Sequence, residues 1–187
     1  MGINTLSVAH DFISRHVPRG GLCIDATMGR GRDTALLCRL VGPEGRVLAF
    51  DLQPQALEST ARLLWEQGLE GRAELICKSH HLMVEHAAPE SVDCIVFNFG
   101  WLPGGSHDLF TLPETSIPAI QAGLELLKPG GAMSLCIYYG GRSGYEERDA
   151  LLAFLPTLDN RRYTVVVSRF VNRDGDVPIP VFILKEG

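Results

Sequence analysis

The ten residues Asp25-Ala-Thr-Met-Gly29-Arg-Gly31-Arg-Asp33-Thr34 constrain this chain more than any others. An apolar run, Gly21-Leu-Cys-Ile24, leads into them, and an apolar-periodic segment, Ala35-Leu-Leu-Cys-Arg-Leu40, follows. A strand, a tight glycine turn and a helix start form the layout in which open α/β sheets bind nucleotides at the carboxyl ends of their strands. The next apolar run, Val47-Leu-Ala-Phe50, ends on Asp51, twenty residues after Gly31. A carboxylate at that offset can accept both hydroxyls of a ribose. A nucleoside-containing cofactor is expected at this turn.

Charge narrows the choice of cofactor. A dinucleotide loop reads G-x-G-x-x-G, and its glycines let backbone amides approach a pyrophosphate. Here Thr34 stands at the third glycine position and the carboxylate of Asp25 opens the turn. An acid beside the loop repels a pyrophosphate but suits an ammonium or a sulfonium. S-adenosylmethionine carries both cations and a ribose, so it is the expected cofactor. On this reading Asp51 takes the ribose, Asp25 and the Gly29–Gly31 turn surround the methionine end, and Gln53 and the Ser79-His80 loop lie near the adenosine.

Along the chain, strand and helix signals alternate. A leading helix is predicted over Val8–Val17, then strands at Leu22–Ala26, Val47–Phe50, Ala73–Cys77, Val92–Asn98 and Ala132–Tyr138. Helices are predicted from about Asp33 to Val41, Pro54 to Gln67, Pro113 to Leu127 and Tyr145 to Leu155. In the second of these, Ala56, Leu57, Ala61, Leu64 and Trp65 are expected on the apolar side. Lys128-Pro-Gly-Gly131 reads as a stop signal, and strands at Tyr163–Val171 and Val177–Leu184 as a closing hairpin. Such alternation implies a mainly parallel seven-stranded sheet with right-handed crossovers and an antiparallel C-terminal hairpin. That is a Rossmann-like α/β fold with the layout of class I methyltransferases, expected as a single domain over residues 1–187.

Composition excludes more than it identifies. With 45% hydrophobic and 21% charged residues the chain is ordinary for a globular protein. No apolar run approaches the roughly 20 residues of a membrane span, and the N-terminus lacks a basic start with a long apolar core. The cytoplasm is therefore the expected compartment. Cys23, Cys38, Cys77, Cys94 and Cys136 form no C-x-x-C pair and are expected to be buried, reduced thiols, with neither zinc nor disulfides. A net charge of −5 does not favour nucleic acid. Arginines are uneven, however: Arg30 and Arg32 flank the glycine turn, and Arg161, Arg162, Arg169 and Arg173 crowd the last quarter.

A second constellation follows the fourth strand, in Asn98-Phe-Gly-Trp101-Leu-Pro-Gly-Gly105. The carboxyl end of that strand faces the cofactor crevice, where a methyl acceptor should sit. Asn98 offers an amide oxygen that can accept from an amino group and aim its lone pair at a methyl. Trp101 offers a flat face on which a base can stack. Amino-methylating enzymes with an N-P-P-Y loop use the same asparagine-then-aromatic spacing. A strand end followed by a Pro-Gly-Gly turn is the structural alternative.

The chain as a whole resembles the YtqB-type family of rRNA-methylase-like proteins, associated with MnmM-like methylation of the tRNA wobble uridine. The resemblance runs from about Val17 to Leu184. It rests on the Asp25–Thr34 segment, Phe50-Asp51-Leu-Gln53, Ser79-His80, Asn98–Gly105, Pro113-Glu-Thr115-Ser-Ile117, and Tyr138-x-Gly140 before Gly144-x-Glu146-Glu147. It implies that Asp25, Thr27, Gly29, Gly31, Asp33, Thr34, Asp51, Gln53, Ser79, His80 and Asn98 surround S-adenosylmethionine. It also implies methyl transfer to the amine of 5-aminomethyl-2-thiouridine in a tRNA anticodon loop, with Asn98 and Trp101 acting on the acceptor. Two departures bear on the acceptor. Ser106 stands where the family often has aspartate, and Tyr139 and Gly141 stand where it tends to have proline and histidine.

Rival readings remain open at this level: a methyltransferase for a small metabolite, and a non-catalytic module that binds the cofactor. An NAD-dependent oxidoreductase ranks below both because of Thr34 and Asp25. His80, His107 and Asp108 are candidate acceptors for the amine's proton. A homodimer is expected through the C-terminal hairpin, rich in Val165, Val167, Phe170, Val181 and Phe182.

Overall fold

The structure is a computed structural model describing residues 2–100 and 112–187, with the backbone alone at 141–143. Trp101, the Pro103-Gly104-Gly105 turn, Ser106, His107, Asp108 and the side chain of Arg142 lie outside the described residues.

The chain opens with α1 (Thr5–His16), three residues earlier than its apolar periodicity suggests. A capping box sets that start: Asn4 Oδ1 accepts from Ser7 N at 2.8 Å and Asn4 N donates to Ser7 Oγ at 2.9 Å. Then come β1 (Leu22–Asp25), α2 (Arg32–Val41), β2 (Arg46–Phe50), α3 (Pro54–Glu66), β3 (Ala73–Ile76), β4 (Val92–Phe99) and α4 (Pro113–Leu126). The chain closes through β5 (Leu127–Ile137), α5 (Gly141–Phe154), β6 (Tyr163–Val167) and β7 (Ile179–Lys185).

The strands form one sheet in the order β3-β2-β1-β4-β5-β7-β6. Strands β1 to β5 pair in parallel, and β7 runs antiparallel between β5 and β6. This is the class I methyltransferase sheet that the sequence predicts. Side chains alternate between its faces. Cys23, Cys94 and Val96 pack with α1, α2 and α3 residues Ile13, Leu37, Val41 and Leu64. Ile24, Ile95, Phe97 and Phe99 pack on the other face with Ile120 and Leu124 of α4 and Leu151 of α5. Among the described residues no helix is long and apolar enough to cross a membrane.

Several expectations need correction. The buried stripe of α3 is Ala56, Thr60 and Leu64, whereas Ala61 is exposed and Trp65 is 71% exposed. Thr60 turns inward because its hydroxyl donates to the Gly29 carbonyl at 3.3 Å, a use for a polar residue that apolar periodicity cannot register. The helix α4 ends at Leu126, just before Lys128-Pro-Gly-Gly131, as a stop signal requires, but that segment already lies inside β5, which starts at Leu127 rather than Ala132. Leu127 pairs with Val92 and Ala132 with Cys94, so the intervening residues bulge, Gly130 at φ +79°, while Lys128 Nζ reaches Asp93 at 2.8 Å. The final strands are shorter than read, and residues 168–178 form a wide connection. Cys77 is exposed, while the other four cysteines are buried. Burial pushes Cys94 and Cys136 up to about 12, so these thiols pack rather than react.

Candidate active site

The residues singled out in the sequence converge at the carboxyl ends of β1, β2 and β4. The turn after β1 needs its glycines. Gly29 and Gly31 have φ of +51° and +78°, a region costly for L side chains. A Cβ on Gly31 would stand 2.8 Å from the Thr60 side chain and 2.9 Å from its Cα. The backbone of the turn thus lies directly on α3.

Asp51, just beyond β2, is half-buried. Gly29 N donates to its Oδ2 at 3.0 Å and Gln53 N to its Oδ1 at 2.9 Å. A carboxylate oxygen has two lone-pair directions, so both oxygens are fixed and each can still accept a hydroxyl. Gln53 lies beside it at the start of α3 and is half-buried.

Asp25 differs from expectation. As the last residue of β1 it follows the parity of Cys23 and faces α2. It is fully buried, its Oδ2 accepting from Thr34 Oγ1 at 2.6 Å and its Oδ1 from Thr27 N at 3.2 Å. It therefore sits beneath the turn, its carboxylate committed to Thr34 and Thr27. Burial, reinforced by the neighbouring Asp33 carboxylate, raises it from 3.8 to about 7. Thr34, buried as well, is its hydroxyl partner rather than a wall of the crevice.

Asn98 continues the row of Cys94 and Val96, so its side chain leaves β4 toward the α1–α2 face. Its backbone N–H donates to Thr27 Oγ1 at 2.7 Å, tying the end of β4 to the loop after β1. Its amide nitrogen donates to Asp33 Oδ2 at 2.7 Å. Because a carboxylate only accepts, this contact fixes the amide's orientation and leaves Oδ1 as the acceptor. Asp33 in turn accepts from His10 Nε2 at 2.6 Å. His10 has no motif around it. It enters the site because Ala9 and Ile13 seat α1 against the sheet, a long-range packing that no local pattern announces.

Ser79 and His80 begin a short 3-10 segment, His80–Glu85, beyond β3. Ser79 Oγ bonds His81 Nδ1 at 2.8 Å. His80 is buried edge-on against Phe97 and Phe99. Burial pushes it down to about 4, with His81 adding to the effect. It stays neutral and is too weak a base to hold an amine's proton. Gly100, past β4, has φ +125°, and a Cβ there would meet Tyr138 Cβ at 3.0 Å, so the chain just past β4 lies against the end of β5. The two remaining family motifs meet inside the fold, where Ser116 Oγ donates to the buried Glu147 carboxylate at 2.5 Å and joins α4 to α5.

The family model described as "Putative rRNA methylase" matches residues 47–184. The chain is 34% identical over 188 residues to an Arabidopsis thaliana protein named chloroplastic tRNA (mnm(5)s(2)U34)-methyltransferase, covering 95% of this chain and 68% of that one. A Clostridium thermocellum crystal structure carrying the same rRNA-methylase description superposes with a TM-score of 0.95 at 39% identity, over 99% of both chains. A Streptococcus mutans "putative methyltransferase", solved in complex with SAH, gives 0.88 at 34% identity, again over 99% of both chains. Matched along most of its length by the family model and by relatives above 30% identity, the chain belongs to the rRNA methylase family.

Proposed function

We propose that this protein transfers a methyl group from S-adenosylmethionine to the side-chain amine of a 5-aminomethyl-2-thiouridine at the wobble position of tRNA. The observation that carries the reading is the pinned amide of Asn98, its oxygen left as the acceptor at the strand end beside the crevice. The class of acceptor follows from the 34% identity to a tRNA (mnm(5)s(2)U34)-methyltransferase, together with the family's rRNA-methylase description.

The residues fit the cofactor. The spare lone pairs of Asp51 suit the ribose hydroxyls, and Gly31 keeps the turn's backbone tight on α3, where a Cβ would collide with Thr60. Asp25 supplies negative charge from below to the cationic methionine end. When bound, the cofactor supplies a methyl already activated by a sulfonium, so the chain needs no nucleophile of its own. Asn98 Oδ1 accepts an N–H of the amine and directs its lone pair at the methyl. Such alignment, with water excluded, contributes on the order of 7–11 kcal/mol. Asp33 and His10 act through Asn98 as positioning residues. Trp101 is proposed to stack on the uridine, a single-stranded base that can be splayed out without melting a helix. The exposed Arg30 and Arg32 are proposed to meet flanking phosphates. On the edge strand β6, Val166 and Val167 are 48% and 41% exposed, which supports a homodimer through the hairpin; a 20.5 kDa monomer in light scattering would refute it.

The test is nucleoside mass spectrometry of tRNA from a strain lacking the gene. The expected result is accumulation of 5-aminomethyl-2-thiouridine at the expense of its methylated form. Unchanged nucleosides, with no methylation of hypomodified tRNA by the purified protein, would favour a small-metabolite acceptor instead.

A further inference from the structure

Besides the crevice, the carboxyl edge of the sheet carries a cavity of about 370 Å³ between the end of β5, the outer face of α5 and the connection between β6 and β7. Tyr139, Arg148, Arg169, Phe170 and Arg173 line it, with Asp149 as the one carboxylate among its lining residues. Three guanidinium groups against one carboxylate form a local exception on a chain of net charge −5. Asp149 is already held by Arg148 at 2.7 Å, and the nearby Asp176 accepts from Tyr145 Oη at 2.7 Å.

We propose that this cavity is a second RNA subsite, taking the phosphate and base of a nucleotide that flanks the methylated one. The proposal rests on the reading of the protein as an RNA methyltransferase. Three observations carry it. The first is position. β6 runs antiparallel to β7 and β7 antiparallel to β5, so Arg169 and Phe170 leave β6 at the same edge where Tyr139 leaves β5. From β4, which carries Asn98, β6 is three strands away, roughly 14 Å at the usual spacing between strands. A strand of RNA leaving the crevice crosses that distance without a bend in the protein.

The second is chemistry. The Arg148 guanidinium lies 4.8 Å from the centre of the Tyr139 ring and 4.9 Å from that of Tyr145, and Arg173 lies 4.0 Å from that of Phe170. Guanidinium groups placed over aromatic rings offer positive charge to a phosphate beside a planar surface for a base. Single-stranded RNA is recognised by these two elements together. The third is size: the volume lies near the lower end for small-molecule pockets, which suits one nucleotide unit rather than a folded partner. Tyr139 is also a position where the sequence departs from its family's pattern, so a change there would alter which neighbouring nucleotide fits.

The experiment measures binding and methylation of an anticodon stem-loop RNA across a salt series, using the full-length protein. Arg169→Ala should weaken RNA binding about tenfold and lower the salt slope of log K by about 0.7, the loss of one single-strand phosphate contact. Arg169→Lys should restore the slope. Tyr139→Leu should raise KM for the RNA without changing the slope or kcat. Cofactor affinity should not move in any of them. If the wild-type protein neither binds nor methylates the RNA, the reading as an RNA methyltransferase fails. If it methylates normally and Arg169→Ala leaves both KM and salt slope unchanged, the cavity alone is misassigned. Competition by an acidic peptide at concentrations where the RNA competes would also overturn the proposal, making the cavity a protein-docking site.

Discussion

The two halves of the sheet's carboxyl edge are built differently. Under the glycine turn, polar groups are committed to one another: Asp25 to Thr34 and Thr27, Asp51 to Gly29 and Gln53, Asp33 to Asn98 and His10. At the β5–β7–β6 end, charged groups lie over rings and near solvent, with Arg169 and Arg173 exposed. A fixed cofactor rewards the first arrangement, because preformed hydrogen bonds cost nothing to organise at the moment of binding. A variable polymer rewards the second, because stacking and long cationic side chains tolerate a shift in register.

Changing the committed half should therefore damage the protein most. Gly31→Ala places a Cβ against the Thr60 backbone at a positive φ. The left-handed conformation costs about 1–2 kcal/mol, and overpacking adds typically 1–3 kcal/mol. Melting should fall by roughly 4–20 °C for a chain of this size, with cofactor binding lost. Gly68→Ala is the matched control: its φ of +63° is similar but nothing lies within 4 Å, so only the backbone cost should appear. Equal melting of the two variants would show that the turn's contact with α3 is not what fixes it.

Asp51→Ala comes next. Loss of a charged acceptor costs about 1.5–3 kcal/mol per hydrogen bond, so calorimetry should show cofactor affinity reduced about tenfold to more than a hundredfold. Full affinity in this variant would remove Asp51 from the ribose site and undo the contrast between the two halves.

The two halves were also unequally legible in the sequence. The turn could be read because its requirements are local: glycines at positive φ, an apolar strand before them, a carboxylate at the end of the next strand. The turn's spacing puts Asp25 at the end of β1 but does not say which way that last strand residue points. The parity of Cys23 and Asp25 on one strand does. His10 was beyond reach, because its role depends on α1 docking across β5 and β7, far away in sequence. The arginine cavity was visible only as an uneven arginine count. Its components come from β5, α5 and the hairpin connection, and only the antiparallel turn of β7 brings them to one edge.

His10→Ala tests the part of the committed half that sequence missed. With its donor removed, Asp33 retains Asn98 but loses one of the two contacts that fix its carboxylate. One such hydrogen bond is worth about 1 kcal/mol, so kcat for RNA should fall about fivefold while cofactor affinity and melting stay near wild type. His10→Gln, which can keep a donor in place, should recover part of the rate. A fall in cofactor affinity instead of kcat would place His10 on the cofactor side.

The smallest effect concerns Asp25 and pH. Its folded value is raised from 3.8 to about 7, so the folded protein holds this proton more tightly than the unfolded chain does. The linked stability is fully present below about pH 4 and is lost as pH rises toward 7. Binding of a cation runs the opposite way, because only the ionised form of Asp25 attracts an ammonium or a sulfonium. Between pH 6.5 and 7.5 the ionised fraction of a group titrating at about 7 changes roughly threefold. Affinity for S-adenosylmethionine should rise by that factor across this window while the melting temperature of the free protein declines. Asp25→Asn preserves an acceptor for Thr27 N and lets the Thr34 hydroxyl accept instead of donate, so the fold should survive with both dependences flattened. A variant that keeps the wild-type pH dependence of cofactor binding would move the titrating group elsewhere, and with it the claim that charge beneath the turn, rather than contact within it, selects a cationic ligand.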